Sequence, residues 1–412
     1  MAKTKPTLRP TSKSSTILHA PKPPRPRKSK PSPSPTLLLA EASSLLTSSP
    51  SSALPLALRA LSLLQPSTTA ALPALNLIAQ IQLELGNGDA ARTYFCKAVD
   101  LDATGSIPES QGGGAEKFLW LAQLCEEGGR ESVEWFEHGC DALRRQIASL
   151  EELISESSST SDGAETEAKV KAVEKKRKLA EALCGIVEIY MTDLSLESDA
   201  ESQCERLITE ALSVAPDAPE PLQTLASVRI SQSRTVEAKE ALAKSIALWK
   251  DIDVDIDGAD QAVDADSKIP DFSTRISLVR LLMEVSMLEE ALMVLDRLVS
   301  EDDQSIEAWY LGGWCLFLAA EGRKGEEIKG EGRTLTALQS SRHWLRESLR
   351  LYNGLEYEDE RLREHAMELV ADLDRELGPG NEDEAGADGG WEDEADVDEG
   401  EEQEQDQEMS GA

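Results

Sequence analysis

Apolar and polar positions along residues 74–102 alternate with the period of a helix, in two short runs separated by a break. The first run carries Leu75, Ile78 and Ala79. The second carries Ala91, Phe95 and Ala98 at i, i+4 and i+7, and Gly86-Asn87-Gly88 lies between them. Small residues at Ala79, Ala91 and Ala98 let two antiparallel helices approach closely, and the larger apolar residues fill the seam. A hairpin of this kind leaves apolar surface uncovered when alone, so it predicts neighbours of the same build. The chain supplies them. Residues 221–248 carry Leu222, Leu225 and Ala226, then Ala238, Leu242 and Ser245. Residues 272–299 carry Leu278 and Val279, then Ala291, Leu295 and Leu298. Residues 305–316 contain Trp309, Gly312 and Gly313, with a late second helix at Ser341, Leu345 and Ser348. Residues 178–193 with Gly185 precede a helix bearing Cys204, Ile208 and Ala211. Residues 118–126, followed by Ser132, Phe136 and Gly139, make a slightly shorter pair.

Positions 75 to 91 and 222 to 238 are each 16 apart, a shared offset that an unrelated helical bundle has no reason to keep. The pattern resembles the tetratricopeptide repeat, a helical hairpin of roughly 34 residues. The fold class predicted is all-α: a tetratricopeptide-repeat-like superhelical solenoid of about six to seven hairpins, with insertions and disordered termini. Two Ala/Leu-rich segments, 37–48 and 53–64, read as an atypical capping hairpin at its start. A charged helix over 358–377, stopped by Gly378-Pro379-Gly380, reads as the cap at its end.

Three parts follow: a basic Pro/Ser-rich arm over 1–35, the solenoid over 36–378, and an acidic tail over 379–412. The arm has no acidic residue, low hydrophobicity and many prolines, so disorder is expected. Its Lys22, Arg25, Arg27, Lys28 and Lys30 resemble a nuclear import signal; contact with the protein's own acidic surface is the other reading. Insertions are expected near 155–168, 251–270 and 319–340. The polar stretch 155–165 reads as a mobile loop, and Gly112-Gly113-Gly114 as a flexible joint. The Lys-rich start of the helix over 168–190 reads as a solvated face. Residues 381–412 hold 15 acidic residues and no Lys or Arg, the composition of a disordered acidic tail.

Charge narrows the function. The net charge is -35, from 77 acidic and 42 basic residues, so the summed field repels phosphate and disfavours direct, specific nucleic acid binding. The partner it favours is a basic protein segment. No secretory signal is expected and no apolar stretch approaches membrane-spanning length, which leaves cytoplasm and nucleus. The six cysteines form no CxxC pair and fall within helical patterns, as free thiols do in a reducing compartment. Cys125, Cys140 and His138 lack a fourth ligand for zinc. Asp253, Asp255, Asp257 and Gly258 mimic the start of a calcium loop. Position twelve is Asp264 where the longer Glu belongs, so an acidic linker is the better reading. The Gly-rich 321–332 lacks the GK[ST] ending of a phosphate loop. No catalytic constellation, cofactor site or metal site is expected.

In the tetratricopeptide family that the repeats resemble, the first helix of each hairpin lines the concave face. Periodicity places Asn76, Gln80, Glu84, Glu116, Gln123, Glu126, Glu127, Glu220, Gln223, Arg280, Glu284, Glu307, Tyr310, Trp314 and Phe317 outward on those helices as protein-binding candidates. Carboxylates there suit Arg or Lys of a ligand, and amides suit an extended backbone. Tyr310 and Trp314, one turn apart, suit an apolar or Arg side chain. For Trp314, packing against the insertion after Ala319 is the alternative.

Three segments carry a closer resemblance: GNGDAARTYFCKAVDLD at 86–102, KFLWLAQLCEEGGRESVEWFEHG at 117–139 and EAWYLGGWCLFLA at 307–319. With them the chain resembles the fungal tetratricopeptide-repeat chaperones dedicated to one large-subunit ribosomal protein, number four. The resemblance covers most of 37–378 and the acidic tail, and leaves the basic arm unmatched. It implies a non-enzymatic protein that captures the newly made ribosomal protein, shields its basic internal loop and accompanies it to nuclear pre-ribosomes, with an import receptor as a further partner. The alternative is a repeat scaffold of another nuclear or ubiquitin-ligase complex that reads a basic peptide. Mostly acidic outward positions argue against a heat-shock co-chaperone, which uses Lys and Arg to hold a C-terminal carboxylate.

Overall fold

The structure, a computed structural model, describes residues 34–65, 67–157, 162–252, 269–323, 331–355 and 357–378. The basic arm up to residue 33, the calcium-like segment, the Gly-rich stretch from 324 to 330 and the acidic tail from 379 lie outside the described residues. Fifteen α-helices and two 3-10 turns account for the regular structure among the described residues. They fall into two units, 1–124 and 125–412.

The first unit holds α1 (Pro35–Ser44), α2 (Pro50–Leu63), α3 (Leu72–Glu84), α4 (Gly88–Leu101) and α5 (Glu116–Gln123). Prolines at the first turns of α1 and α2 start those helices where no N–H is needed. Ala42, Ala53 and Ala57 pack on Leu77, Ile78 and Ile81, so α1 and α2 form the expected opening hairpin against α3. Helices α3 and α4 form the next, with Ala91, Phe95 and Ala98 fully buried in its seam. The Phe95 ring stacks on Trp120 of α5 at 6.4 Å.

The glycine joint expected at 112–114 is packed. A Cβ on Gly112 would sit 2.5 Å from the Pro73 backbone nitrogen, and one on Gly113 would sit 2.1 Å from the Ile107 carbonyl oxygen. These glycines serve close backbone approach. Asp102 fixes the same loop from inside. Its carboxylate accepts from the N–H groups of Ser106, Ile107 and Gly114 and pairs with Lys117 Nζ at 2.7 Å. Lys117 also donates to the Gly114 carbonyl at 2.7 Å.

The second unit begins with α6 (Gly129–Ser157) and α7 (Asp162–Met191), each about twice the length of a repeat helix. The segment expected as a loop over 155–165 is helical at 155–157 and 162–165, with 158–161 outside the described residues; at the α7 end Lys169 and Lys171 pair with Glu165 and Glu167 one turn back. Gly185 lets the Phe136 ring lie on α7, where a Cβ would be 3.0 Å away. There follow α8 (Ala200–Val214), α9 (Pro219–Ser231), α10 (Thr235–Ala247), α11 (Phe272–Glu284), α12 (Leu288–Glu301), α13 (Ile306–Arg323), α14 (Glu331–Gly354) and α15 (Glu360–Leu377). Helix occupies both ends of the insertion expected over 319–340.

Pairs α7/α8, α9/α10, α11/α12 and α13/α14 are antiparallel hairpins, and α15 covers α14. Ala238 and Ala291 are fully buried at the position of Ala91. Tight turns join α3 to α4, α9 to α10 and α11 to α12 with the same hydrogen bonds and a left-handed residue at one repeat position: Gly86, Ser233 and Ser286. Buried hydroxyls bind the seams. Ser245 donates to the Pro219 carbonyl, Ser348 to Ile306 and Ser341 to Gly313, at 2.7 to 3.0 Å. Gly312 and Gly313 set the tightest crossing: added Cβ atoms would lie 2.1 Å from Trp344 and 2.5 Å from Leu345.

Candidate functional site

Within the second unit each first helix touches the next, in the series α7, α9, α11, α13 and α15. The second helices α8, α10, α12 and α14 do not pack on one another in that way. Closer spacing on one side curves the stack and puts the first helices on its inner wall.

That wall is acidic where α7 meets α9. Glu181 and Glu188 lie seven residues apart on α7, hence on one face of the helix. Glu220 sits in the first turn of α9 and Asp271 caps α11. Burial pushes the carboxyls of Glu181, Glu188 and Glu220 up, and Glu181 is pushed further by Glu220 and Asp271. Glu181 and Glu188 nonetheless remain exposed to solvent. Accessible side chains crowded by surrounding protein are what a concave wall produces: water reaches the carboxylate but cannot hydrate it fully. Among the described residues none of these three glutamates forms an ion pair, although the charges of Lys178 and Arg177 offset part of the rise at Glu181, and Arg177 part of that at Glu220. Asp271 differs, since hydrogen bonds from Thr274 overcome its burial and hold its carboxyl below the usual range. Between the glutamates, Cys184 is buried, bonded to Thr224 and pushed up to about 12 by its burial, which makes it an inert packing thiol.

At the other end of the wall, Arg280 of α11 pairs with Glu307 of α13. Tyr310 meets His365 of α15, with its hydroxyl 2.7 Å from Nδ1. Trp314 packs edge-on against the same His365 ring at 5.0 Å and lies 5.9 Å from Tyr310. Phe317 joins the core formed with α14 and α15. Trp314 is thus anchored on the closing helix.

The other expected positions are spread out. In the first unit, Asn76 donates to the Gly112 carbonyl at 2.7 Å and so holds the packed loop, while its own carbonyl oxygen is buried without a partner. Gln80 is half-buried, and Glu84, Glu116 and Gln123 are exposed. In the second unit, Glu126 and Glu127 are exposed before α6, and Glu284 is exposed at the end of α11. Gln223 does not face solvent. It is 6% exposed, turned into the α9/α10 seam and bonded to Ser245 at 3.4 Å. A polar residue was read there as outward because sequence does not show that a seam hydroxyl awaits it. Glu181 and Glu188 are not distinguishable in the sequence from ordinary solvated glutamates, because their crowding comes from α9 and α11, and only their i, i+7 spacing on α7 is visible there.

No family model matches the chain. A protein of Emericella nidulans named assembly chaperone of rpl4 is 48% identical over 362 residues, covering 86% of this chain and 85% of the relative. A protein of the same name from Schizosaccharomyces pombe is 32% identical over 319 residues, covering 77% of this chain and 85% of the relative. The solved structure of residues 1–338 of an assembly chaperone of RpL4 (Acl4) superposes with a TM-score of 0.63. It shares 46% identity and covers 71% of this chain and 99% of that one. Assembly chaperone is a non-enzymatic role, and with these identities and coverages the chain belongs to the family of fungal assembly chaperones of rpl4.

Proposed function

We propose that this protein is a dedicated chaperone whose client is the newly made large-subunit ribosomal protein rpl4. It captures the client's basic internal loop on its inner wall, shields it, and accompanies the client to nuclear pre-ribosomes. The observation that carries this reading is the set of crowded, unpaired carboxylates Glu181, Glu188 and Glu220. A partly dehydrated carboxylate whose nearby cations, Arg177 and Lys178, do not offset its burial destabilises the free protein, and an incoming Arg or Lys removes that cost. A loop that later meets rRNA phosphates is rich in such cations. The net charge of -35 adds long-range attraction, which speeds encounter more than it sets final affinity. Names of the relatives in two fungi supply the identity of the client.

Co-expression with tagged rpl4 tests this. Wild-type protein co-purifies stoichiometrically at elevated salt with intact rpl4, and far less with rpl4 lacking the loop. Neutralising Glu181, Glu188 and Glu220 to Gln weakens capture about tenfold or more. Reversing Glu116, Glu126 and Glu127 to Lys tests the acidic positions read from sequence, and a folded variant that keeps full capture rejects that patch. Equal capture of loop-deleted rpl4 sinks the loop reading, and a stable multisubunit assembly without rpl4 favours the scaffold. The nuclear part is separate. Neutralising Arg25, Arg27, Lys28 and Lys30 moves a fluorescent fusion out of the nucleus, and an unchanged distribution rejects the arm as an import signal.

A further inference from the structure

Between α14 and α15 the chain turns through a corner that the reading above does not use. Tyr352 is buried near the end of α14 and Tyr357 stands 41% exposed in the turn. Their rings meet edge-on at 5.9 Å, and the Tyr357 N–H donates to the Tyr352 carbonyl. Together with Glu358, Asp359, Glu360 and Arg361 they line an open cleft of about 540 Å³. Asp359 is occupied as the cap of α15, accepting from the Arg361 and Leu362 N–H groups. Glu358 and Glu360 have no ion-pair partner among the described residues. The corner already holds one cation over an aromatic ring: the Arg363 guanidinium lies 5.9 Å from the Tyr352 ring centre. Burial and the nearby charges of Glu307 and Asp359 push the Tyr357 phenol up, so the ring stays neutral near pH 7. Tyr352 shares one buried cluster with Ile306, Leu351 and Leu362, and Trp309 and Tyr310 of α13 pack against it, so the cleft adjoins the α13 end of the inner wall.

We infer that this cleft takes the side chain of an arginine or lysine from a basic segment lying on the inner wall, with its cation over the Tyr357 ring and Glu358 and Glu360 as counter-charges. The inference rests on the proposed basic client. Three carboxylates against one guanidinium in the lining exclude an anion. An aromatic face attracts a cation through its quadrupole and does nothing comparable for a neutral polar group. The cleft is open, so a free amine gains little there. A side chain tethered to a segment already held on the neighbouring wall arrives at high effective concentration.

Titration calorimetry on the full chain near physiological salt tests this with two probes, purified rpl4 and a hexa-arginine peptide. Tyr357→Ala is expected to weaken both by about fivefold, and Tyr357→Phe to leave both unchanged, because the ring and not the hydroxyl supplies the contact. Glu358→Gln/Glu360→Gln is expected to weaken both and to flatten the salt dependence. If rpl4 binds wild type and Tyr357→Ala with equal affinity, the cleft is overturned while the client reading stands. If hexa-arginine binds in a Tyr357-dependent way and rpl4 does not bind at all, the cleft stands and the client reading falls. Failure of both probes on wild type overturns both. Should Tyr357→Ala lose its helical melting transition, the Gln pair decides alone, and unchanged affinity in it overturns the cleft.

Discussion

Replacing Lys117 with Met should loosen the first unit more than any surface change, and more than removing the whole ion pair of which it is half. Lys117 and Asp102 are 1% and 4% exposed, and the Nζ lies 2.7 Å from the carboxylate. Taking one member from a buried pair costs about 3–5 kcal/mol, because the other charge stays behind unmatched. Asp102 keeps the N–H groups of Ser106, Ile107 and Gly114, so the lower end applies, about 3 kcal/mol. Asp102→Asn with Lys117→Met removes both charges, retains a side-chain acceptor for the loop, and should cost about 1 kcal/mol. Amide hydrogen exchange of α4 and α5 in the full chain reads the difference: about a hundredfold faster for the single variant and about fivefold for the double. The pair also sets an acid limit. Burial alone would raise the Asp102 carboxyl, but Lys117 and the loop N–H groups outweigh it and hold it below the ordinary range. This contribution is therefore full above about pH 4 and is lost as pH falls through the lowered folded value. Wild-type protection in Lys117→Met, or a double variant worse than the single, would refute the reasoning.

Gly313→Ala places a Cβ 2.5 Å from Leu345 Cγ and 3.0 Å from its backbone nitrogen, so the second unit should lose about 1–3 kcal/mol in denaturant titration. A loss below about 0.5 kcal/mol would mean that the α13/α14 crossing relaxes. Ser233→Gly and Ser286→Gly relieve φ values of 60° and 59°, and each should stabilise by about 1 kcal/mol, raising the thermal midpoint additively. Loss of stability in both would show that the hydroxyls matter more than the backbone. Neutralising Glu181, Glu188 and Glu220 to Gln should stabilise the free protein while weakening client capture. Their folded pKa values are raised, so the ionised carboxylates oppose folding above those values and the opposition fades as pH falls towards the unfolded value. The stability gain should then be larger at about pH 8 than at about pH 5, and wild-type affinity for rpl4 should fall over the same descent. A gain independent of pH excludes this origin.

The hairpins were legible because their signal is local. Ala91, Ala238 and Ala291 share one offset and all are fully buried, since only a small residue lets the helices touch at that level. The left-handed turn residue was hidden at two of its three positions. Gly86 announces such a turn, whereas Ser233 and Ser286 adopt it under pressure from the helices on either side. Residues 155–165 look polar enough for a loop, yet 155–157 and 162–165 are helical, and in α7 charges paired one turn apart, Glu165 with Lys169 and Glu167 with Lys171, support the helix where it is polar. The site was less legible than the fold. Facing inward or outward on a first helix depends on register against the neighbouring hairpin, and one residue of error, about 100° of rotation, moves Gln223 from wall to seam. That Tyr310 and Trp314 come together followed from their spacing. That His365 anchors both required α15, 51 residues on from Trp314, to close over them.

Where the cations go explains why the wall is bare. With 42 basic residues against 77 acidic ones, the chain cannot neutralise every carboxylate it carries. Three little-exposed arginines of the second unit join hairpins or close them: Arg229 reaches Glu205 across α9 and α8, Arg275 reaches Glu301 across α11 and α12, and Arg342 reaches Asp374 across α14 and α15. None of the three is directed at Glu181, Glu188 or Glu220. These cations are used in cohesion between helices, and on the wall between α7 and α9 Arg177 and Lys178 offset the crowding of Glu181 and Glu220 only in part, so their carboxyls stay raised. Because those carboxylates are crowded by protein, salt screens them less than it screens the exposed acidic surface. Long-range attraction by the whole chain should accordingly fade with ionic strength while the grip of the wall persists, so a basic segment is gathered by net charge and retained by these few glutamates.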